Sequence, residues 1–216
     1  MAISLLVEVP IACFRQSRAR EYAETYPVPP PSTVYGMLLS CVGEVNRYRH
    51  IGVKLAIAML SQPEKSTVIR TFRRFKKKEI ADPTNARPDY QELLTDIRFV
   101  VYVDSQSETA LPNLADRLQA AFENPEAIAR FGGLCLGESR DLVNSIQSVK
   151  SKDLAGDWQW LAQDENGLLT LPYWVDHVGS QGTRWRRYSL QNPTHNYDPP
   201  DNTWTSINTE FNTISR

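Results

Sequence analysis

The chain has 216 residues, 41% of them hydrophobic, and a formal net charge of −1 at pH 7, which suits one large domain or a domain with an appended subdomain. No apolar segment approaches the roughly 20 residues that span a bilayer, and the N-terminus lacks the basic region that opens a signal peptide. The three cysteines are far apart and show no CxxC spacing, so we expect a reduced, cytoplasmic protein with no metal site, no cofactor and no membrane attachment.

Two periodicities divide the first 150 residues into strands and helices. Apolar residues alternate from Ile3 to Val9, as in a half-buried strand, whereas from Val34 to Val45 they recur every three or four residues, as in an amphipathic helix. Ser32 or Thr33 suits the N-cap of that helix. The predicted elements, in chain order, are a strand over 3–9, a helix over 32–45, strands over 52–60 and 97–104, a helix over 111–123 and a strand over 142–150.

The order strand, helix, strand, strand, helix, strand is typical of the ferredoxin-like (RRM-like) βαββαβ domain, an α+β fold in which an antiparallel sheet carries both helices on one face. We assign this domain to residues 1–150. Residues 151–216 are rich in tryptophan and proline and contain three short strand-like runs, at 157–162, 168–175 and 183–190. They predict a small C-terminal β extension followed by a polar tail.

A long basic insertion separates the predicted second and third strands. Residues 61–96 lie where a tight hairpin needs only a few residues, and the run from 65 to 78 contains seven basic residues and no acidic one. Alternation within this run predicts a protruding β-ribbon. Because basic side chains bind phosphates and aromatic rings stack on unpaired bases, the composition favours a single-stranded nucleic acid over the alternative, a solvated charged ribbon. The basic residues are Lys65, Arg70, Arg73, Arg74, Lys76, Lys77 and Lys78, with Phe72 and Phe75 among them.

Two further basic groups lie outside the insertion, one in the loop after the first strand and one in the C-terminal run "TRWRRY". Much of the balancing acid falls instead around the second predicted helix, at residues 104–126. Segregation of this kind predicts one face for a polyanion. The residues of the two groups are Arg15, Arg18 and Arg20 in the loop, and Arg184, Arg186 and Arg187 around Trp185.

Three prolines lead directly into the first predicted helix. A proline run favours an extended backbone, so "PVPPPST" delivers the chain to a helix N-terminus whose free N–H groups and partial positive charge suit a phosphate. The hydroxyls of Ser32 and Thr33 add donors at this end. The alternative is a simple helix start with a cap.

A glycine-rich segment, "FGGLCLGESRD", precedes the fourth predicted strand. Gly132, Gly133 and Gly137 let backbone amides approach a phosphate closely, and Ser139 and Arg140 add donors. The alternative is a tight turn into the strand.

Two stretches resemble a known family. "FRQSRAREYAETYPVPPPSTVYGMLLSCVGE" is similar to the N-terminal signature of the CRISPR-associated Cas-five family, and "FGGLCLGESRDLV" resembles the glycine-rich loop of that family. Together with the element order they cover most of the chain to about residue 150. The family belongs to the repeat-associated RNA-binding (RAMP) superfamily of ferredoxin-like folds.

The resemblance implies a role in antiviral defence. Members cap the 5′ handle of the guide RNA (crRNA) in type I surveillance complexes (Cascade), a ribonucleoprotein assembly. The basic ribbon then corresponds to the family's thumb, which touches the spacer end beside the handle and a neighbouring backbone subunit. Contact with the large subunit, which reads the protospacer-adjacent motif, links the chain to target DNA through the complex.

RNA on this chain is expected on loops, ribbon and helix ends, because the third strand lacks the paired aromatics with which an RNA-recognition motif stacks bases. No catalytic residue and no metal ligand is assigned. The predicted RNA-binding residues are Arg15, Arg18, Arg20, Ser32, Thr33, Tyr35, Arg70, Arg73, Arg74, Lys76, Lys77, Gly132, Gly133, Gly137, Ser139, Arg140, Arg184 and Arg186.

Two other functions stay open. Some family members cut precursor guide RNA without a metal, by attack of a 2′-hydroxyl on the adjacent phosphate, which needs a general base, a general acid and a cation. The sequence offers His50, expected at the surface or as a cap, His177 and His195, with Tyr26 and Tyr35, and no pattern brings these together. A non-CRISPR interaction protein of the same fold, with its ribbon on an acidic partner, is the third possibility.

Overall fold

The computed structural model describes residues 2–73, 79, 81–150, 154, 156–176 and 182–209. These form a mostly antiparallel sheet with two α-helices, which confirms the α+β fold class. The elements are β1 (Ala2–Ala12), β2 (Tyr22–Ala23), α1 (Pro31–Cys41), β3 (Lys54–Met59), β4 (Glu64–Arg73), β5 (Ala86–Asp104), α2 (Leu114–Glu123), β6 (Ser145–Ser148), β7 (Gln159–Gln163), β8 (Leu169–Trp174), β9 (Arg184–Leu190) and β10 (Thr205–Ser206).

The strands form one sheet in the order β6-β1-β5-β3-β7-β9-β8, and all neighbours along this path are antiparallel. Three further strands attach to it: β10 to β3, and both β2 and β4 to β5. The pair β2–β5 is parallel. Because β7 pairs with β3, the C-terminal strands continue the sheet that β1, β3, β5 and β6 begin.

Alternation along the central strands gives the sheet two different faces. Leu5, Ile57 and Val101 point to the face that both helices cover. The opposite face presents smaller residues such as Ala56 and Ala58, and Trp158 and Trp160 cover them. The C-terminal part of the chain therefore closes the side of the sheet that α1 and α2 leave open.

Strand β5 is much longer than the sequence predicts, because it runs for 19 residues through both a hairpin and the core. Its second half pairs with β1 and β3, and this buried half is the predicted third strand. Its first half pairs with β4 in register from Glu64↔Thr95 to Arg73↔Ala86. The sequence misses this first half because its side chains are polar and partly exposed there.

Helix α1 begins one residue earlier than predicted. Pro30 is the N-cap and Pro31 the first helical residue, so the prediction of Ser32 or Thr33 as the N-cap is wrong. Proline suits this position because its fixed φ matches the helix and its missing N–H has no partner there in any case. The helix ends at Cys41 with a Schellman motif at Gly43 (φ 65°), where the amides of Gly43 and Glu44 donate to the carbonyls of Ser40 and Leu39.

A largely buried polar network ties the end of α1 to α2. His50 Nδ1 lies 2.7 Å from Glu108 Oε2, and both side chains are completely buried. Arg117 of α2 donates to His50 Nε2 (2.9 Å) and to Glu44 Oε2 (2.5 Å). The expectation that His50 lies at the surface or caps a helix is therefore wrong, because its ring connects two elements of the core.

The described residues contain no helix that is long and apolar enough to cross a membrane. Cys13, Cys41 and Cys135 are free thiols.

Candidate nucleic-acid interface

A groove of about 580 Å³ brings together four of the segments that the sequence singles out. We call it the central groove. The residues directly after β1, the start of α1, the glycine-rich loop, the end of β8 and β9 line it. Residues that line it include Arg15, Ser17, Tyr26, Ser32, Thr33, Gly137, Glu138 and Trp185.

The loop after β1, which we call the arginine loop (residues 15–25), exposes the side chains of Arg15, Arg18 and Arg20. Arg15 Nη2 donates to the carbonyls of Ala19 (3.1 Å) and Arg20 (3.2 Å), which fixes the turn of the loop. None of the three arginines forms an ion pair within the described part of the chain. Their charge is therefore available to a phosphate at no cost of breaking a salt bridge.

A buried carboxylate, Glu92 of β5, holds the far end of the arginine loop. Its oxygens accept from the Thr25 amide (3.0 Å), from Lys65 Nζ (2.9 Å) and from the Tyr22 hydroxyl (3.4 Å). Burial alone would raise the pKa of Glu92, but these hydrogen bonds and the charge of Lys65 outweigh burial, so the pKa lies below its usual value. The carboxylate thus stays ionised and fastens the loop to the hairpin.

The start of α1 offers a hydroxyl to the central groove and fewer amides than the sequence predicts. Pro31 has no N–H, and the amides of Thr33 and Val34 both donate to the Pro30 carbonyl. Ser32 Oγ, however, belongs to a residue only 3% exposed, lines the groove, and has no hydrogen-bond partner in the described residues. A buried hydroxyl without a partner is costly in the free protein, and an acceptor bound in the groove would satisfy it.

The glycine-rich loop packs against β1 and is fastened by an acidic residue. Asp141 Oδ2 accepts from the amides of Cys13 (2.9 Å) and Glu138 (2.9 Å). Gly137 has φ 110°, and a Cβ there would lie 2.9 Å from both Asp141 Oδ2 and the Cys13 carbonyl. These contacts give Gly137 a structural reason for being glycine. Gly132, Gly133 and Ser139 are exposed and do not line the central groove.

Two of the predicted RNA-binding arginines are engaged near this loop. Arg140 lies 2.8 Å from Glu138 and also donates to Gln91 of β5. Arg70 of β4 lies 3.8 Å from the same Glu138. Together with the pair Lys65–Glu92, these contacts correct the expectation that the basic run lacks counter-charges, since the carboxylates come from β5 and the glycine-rich loop.

Strand β4 ends at Arg73, within the basic run. The backbone of Arg73 pairs with Ala86. The Arg73 side chain and the whole of Arg74, Lys76 and Lys77 lie outside the described residues.

Strand β9 separates the side chains of "TRWRRY" onto two faces, because successive residues of a strand point in opposite directions. Trp185 and Arg187 are exposed. Arg186 points the other way, where its guanidinium lies 4.7 Å from the ring centre of Tyr173 and donates to Gln163 (2.9 Å). Arg184 is half-buried and donates to the Thr183 carbonyl (3.3 Å). Of the three arginines next to Trp185 in the sequence, only Arg187 therefore lies on the same exposed face of the strand.

Tyr35 is predicted to bind RNA, but its position in the core does not suit that role. Its side chain is fully buried, and its hydroxyl donates to the Arg47 carbonyl (2.7 Å). Burial raises the pKa of Tyr35 well above its usual range. Its ring lies beside that of Trp174, at 6.3 Å between ring centres, so it contributes to the core.

The described residues among those considered for cleavage chemistry do not meet in the central groove. His195 is exposed and lies 3.3 Å from Asp157, and His177 is outside the described residues. Tyr26 does line the groove. In the described part of the chain, no three His, Cys, Asp or Glu side chains are grouped so as to hold a metal ion.

Sequence reasoning missed the two carboxylates that shape the site, Glu92 and Asp141. Glu92 lies 67 residues from the Thr25 amide that it accepts from, and Asp141 lies 128 residues from Cys13. No local pattern signals such partners.

The chain is similar to known proteins in both sequence and fold. The family model described as CRISPR-associated protein (Cas_Cas5) matches residues 2–214. A protein of Myxococcus xanthus (strain DK1622), described as CRISPR-associated protein Cas5, is 45% identical over 187 residues, which cover 85% of this chain and 87% of the relative. Among solved structures, a chain of a CRISPR RNA-guided surveillance complex matches with a TM-score of 0.62 over 90% of both chains, at 15% identity, which shows a shared fold.

Proposed function

The chain belongs to the CRISPR-associated Cas5 family, and on that premise we propose that it is the subunit of a type I surveillance complex (Cascade) that binds the 5′ handle of the crRNA without cutting it. The observation that carries this proposal is the central groove. Arg15, which forms no ion pair in the described residues, the buried Ser32 hydroxyl without a partner there and the exposed Trp185 line this groove, and Arg18 and Arg20 are exposed on the same loop as Arg15. Cations, hydroxyl donors and an aromatic face are the groups that hold a single strand.

The proposed RNA path uses a subset of the predicted residues. Arg15, Ser32 and Thr33 would contact phosphates inside the groove, with Arg18 and Arg20 at its rim. Next along the path, the RNA would contact the backbone amides of Gly137 and Ser139 in the glycine-rich loop. Arg140 and Arg70, which share Glu138, would contact RNA only by exchanging that carboxylate for a phosphate.

We propose the ferredoxin-like assignment and the thumb for this chain as well. Supporting the first, β1, β3, β5 and β6 stand in the sheet order β6-β1-β5-β3, with α1 and α2 on one face. Supporting the second, β4 and the first half of β5 form a hairpin, and β4 contains the first part of the basic run. Residues 1–150 would form the RNA-binding domain, and 151–216 the C-terminal extension.

The partners proposed are a backbone subunit, at the hairpin, and the large subunit, through which the chain meets target DNA. A separate groove of about 520 Å³ suits protein contact. It lies at the end of α1, and Val45 and Phe131, both almost fully exposed, line it. Exposed apolar side chains that share a groove are typical of protein interfaces.

The test is incubation of the full chain with a labelled repeat RNA in EDTA, read on a native and a denaturing gel. The proposal expects a shifted, intact RNA. Cleavage at one position within the repeat would instead establish the metal-independent endoribonuclease, with Tyr26 and His195 as the next variants. If neither occurs, even after assembly with the partner subunits, the chain does not bind the handle and the interaction-protein alternative stands.

A further inference from the structure

Trp185 lies on a ridge between two grooves. It lines the central groove and also a second groove of about 630 Å³ formed by the arginine loop and β8. Tyr26 and Ser17 line both grooves too. The Trp185 side chain belongs to a residue 45% exposed, which is unusual here because Trp158, Trp160 and Trp174 are buried.

The strand that carries Trp185 fixes its backbone. Trp185 pairs with Pro172 of β8, and its neighbours along β9 point into the protein, with Arg186 over Tyr173 and Tyr188 fully buried. A ring presented by a paired strand loses little freedom on binding, since its backbone is already fixed.

Each of the two grooves contains a cation from the arginine loop. Arg15 lines the central groove and Arg18 the second groove. A strand of RNA that crosses the ridge would therefore meet a guanidinium, then the exposed Trp185 ring and the half-buried Tyr26 ring, then a second guanidinium. This alternation matches the alternation of phosphate and base in a single strand.

We propose that Trp185, aided by Tyr26, stacks on one unpaired nucleobase of the RNA where its backbone passes from the Arg15 groove to the Arg18 groove. The inference rests on the proposed RNA-binding function and deepens it by naming the group that each residue contacts. Stacking uses the face of the base, so the site requires a base without selecting which one. The handle would then carry one position at which any base is accepted and a missing base is not.

The experiment is a cycle that combines a protein change with an RNA change. The full chain and Trp185→Ala are titrated with short repeat-derived single-stranded RNAs in which one base at a time is removed to leave an abasic site. At one position, removal of the base should weaken wild-type binding by about 5- to 100-fold and should have little further effect on Trp185→Ala. Trp185→Phe should bind nearly as well as wild type, and Trp185→Leu should bind as poorly as Trp185→Ala.

A matched aromatic control is Tyr48→Ala. Tyr48 is 52% exposed, similar to Trp185, and packs on Trp174 away from both grooves. It should leave RNA affinity unchanged. Thermal unfolding of every variant separates loss of binding from loss of folding.

The outcomes distinguish the inference from the function beneath it. If wild type binds no RNA, alone or with its partner subunits, the proposed function fails and the stacking site with it. If wild type binds RNA and Trp185→Ala binds equally well, the stacking site is wrong and the RNA-binding role stands. The same conclusion holds if the loss of affinity in Trp185→Ala simply adds to the loss at every abasic site. Normal RNA binding by Trp185→Leu, with Trp185→Ala defective, would mean that the side chain acts through its apolar bulk and not by stacking, and would overturn the inference.

Discussion

The buried network around His50 and the arginine loop use charge in opposite ways. In the network, the fully buried His50 ring meets Glu108, and the partly buried Arg117 meets Glu44. In the arginine loop, Arg15, Arg18 and Arg20 are exposed and form no ion pair within the described residues. Paired charges in these two regions therefore stabilise the fold, whereas exposed charges without an ion pair are available to a ligand.

The largest expected effect comes from breaking the buried network. Glu108→Ala leaves the His50 ring, the Ser105 hydroxyl and the Leu114 amide without their acceptor. We expect a loss of about 3–5 kcal/mol in the free energy of unfolding, because an uncompensated polar group stays buried. Urea unfolding measures it. Glu108→Gln, which keeps an acceptor for the amide, should lose less, and a loss under about 1 kcal/mol for the alanine variant would mean that the network is solvated.

The arginine loop should behave in the reverse manner. The triple variant Arg15→Ala, Arg18→Ala, Arg20→Ala should lose about 10- to 100-fold in RNA affinity, and the slope of log affinity against log salt should fall by about 2, at roughly 0.7 per lost phosphate contact. Its stability should change by less than about 0.5 kcal/mol. Arg98→Ala is the matched control, since Arg98 pairs with Glu8 at 3.1 Å on the sheet. Equal losses of affinity in both variants would contradict a dedicated arginine site.

Ser32 sharpens the comparison, because a single atom should link stability and binding with opposite signs. Ser32→Ala removes a buried hydroxyl without a partner, so the free protein should gain up to about 1 kcal/mol while RNA affinity falls roughly tenfold. Calorimetry with and without repeat RNA measures both quantities. Ser40→Ala, in the same helix, should change neither by as much. A variant that is less stable and binds RNA normally would assign the Ser32 hydroxyl to the fold.

The smallest effect concerns acid. The folded pKa of Glu92 lies below its usual 4.5, so its contribution to stability is present above that pH and is lost as pH falls through the folded pKa. Glu92→Gln should therefore lose less stability than wild type when pH is lowered below about 4.5. The difference should stay under about 1 kcal/mol, because the Lys65 partner is largely exposed. Parallel acid titrations of the two proteins by circular dichroism would show it, and identical curves would remove Glu92 as the anchor.

The sequence predicts the parts of this fold that depend on local pattern. Alternation locates the buried halves of β1, β3 and β5, and helical spacing locates α1 and α2. The first half of β5 is missed because its stability comes from pairing with β4, a contact that no local pattern records. Similarly, the sequence finds the cationic residues of the groove but not the Glu92 and Asp141 carboxylates that position them from far along the chain. Tyr35 is misassigned because an aromatic residue in a helix reads the same whether it faces a ligand or the core.

The closing pair of the sheet sets a constraint on how the protein is made. Leu55 of β3 pairs with Thr205 of β10, about 150 positions later in the chain. At a synthesis rate of 5–20 residues per second, the ribosome takes roughly 7–30 seconds to cover that interval. During this time the start of β3 lacks this partner, although Trp158 and Trp160 follow the alanine-lined face after only about 100 residues. The pair between β3 and β10 can therefore form only after nearly all of the described sequence has been synthesised.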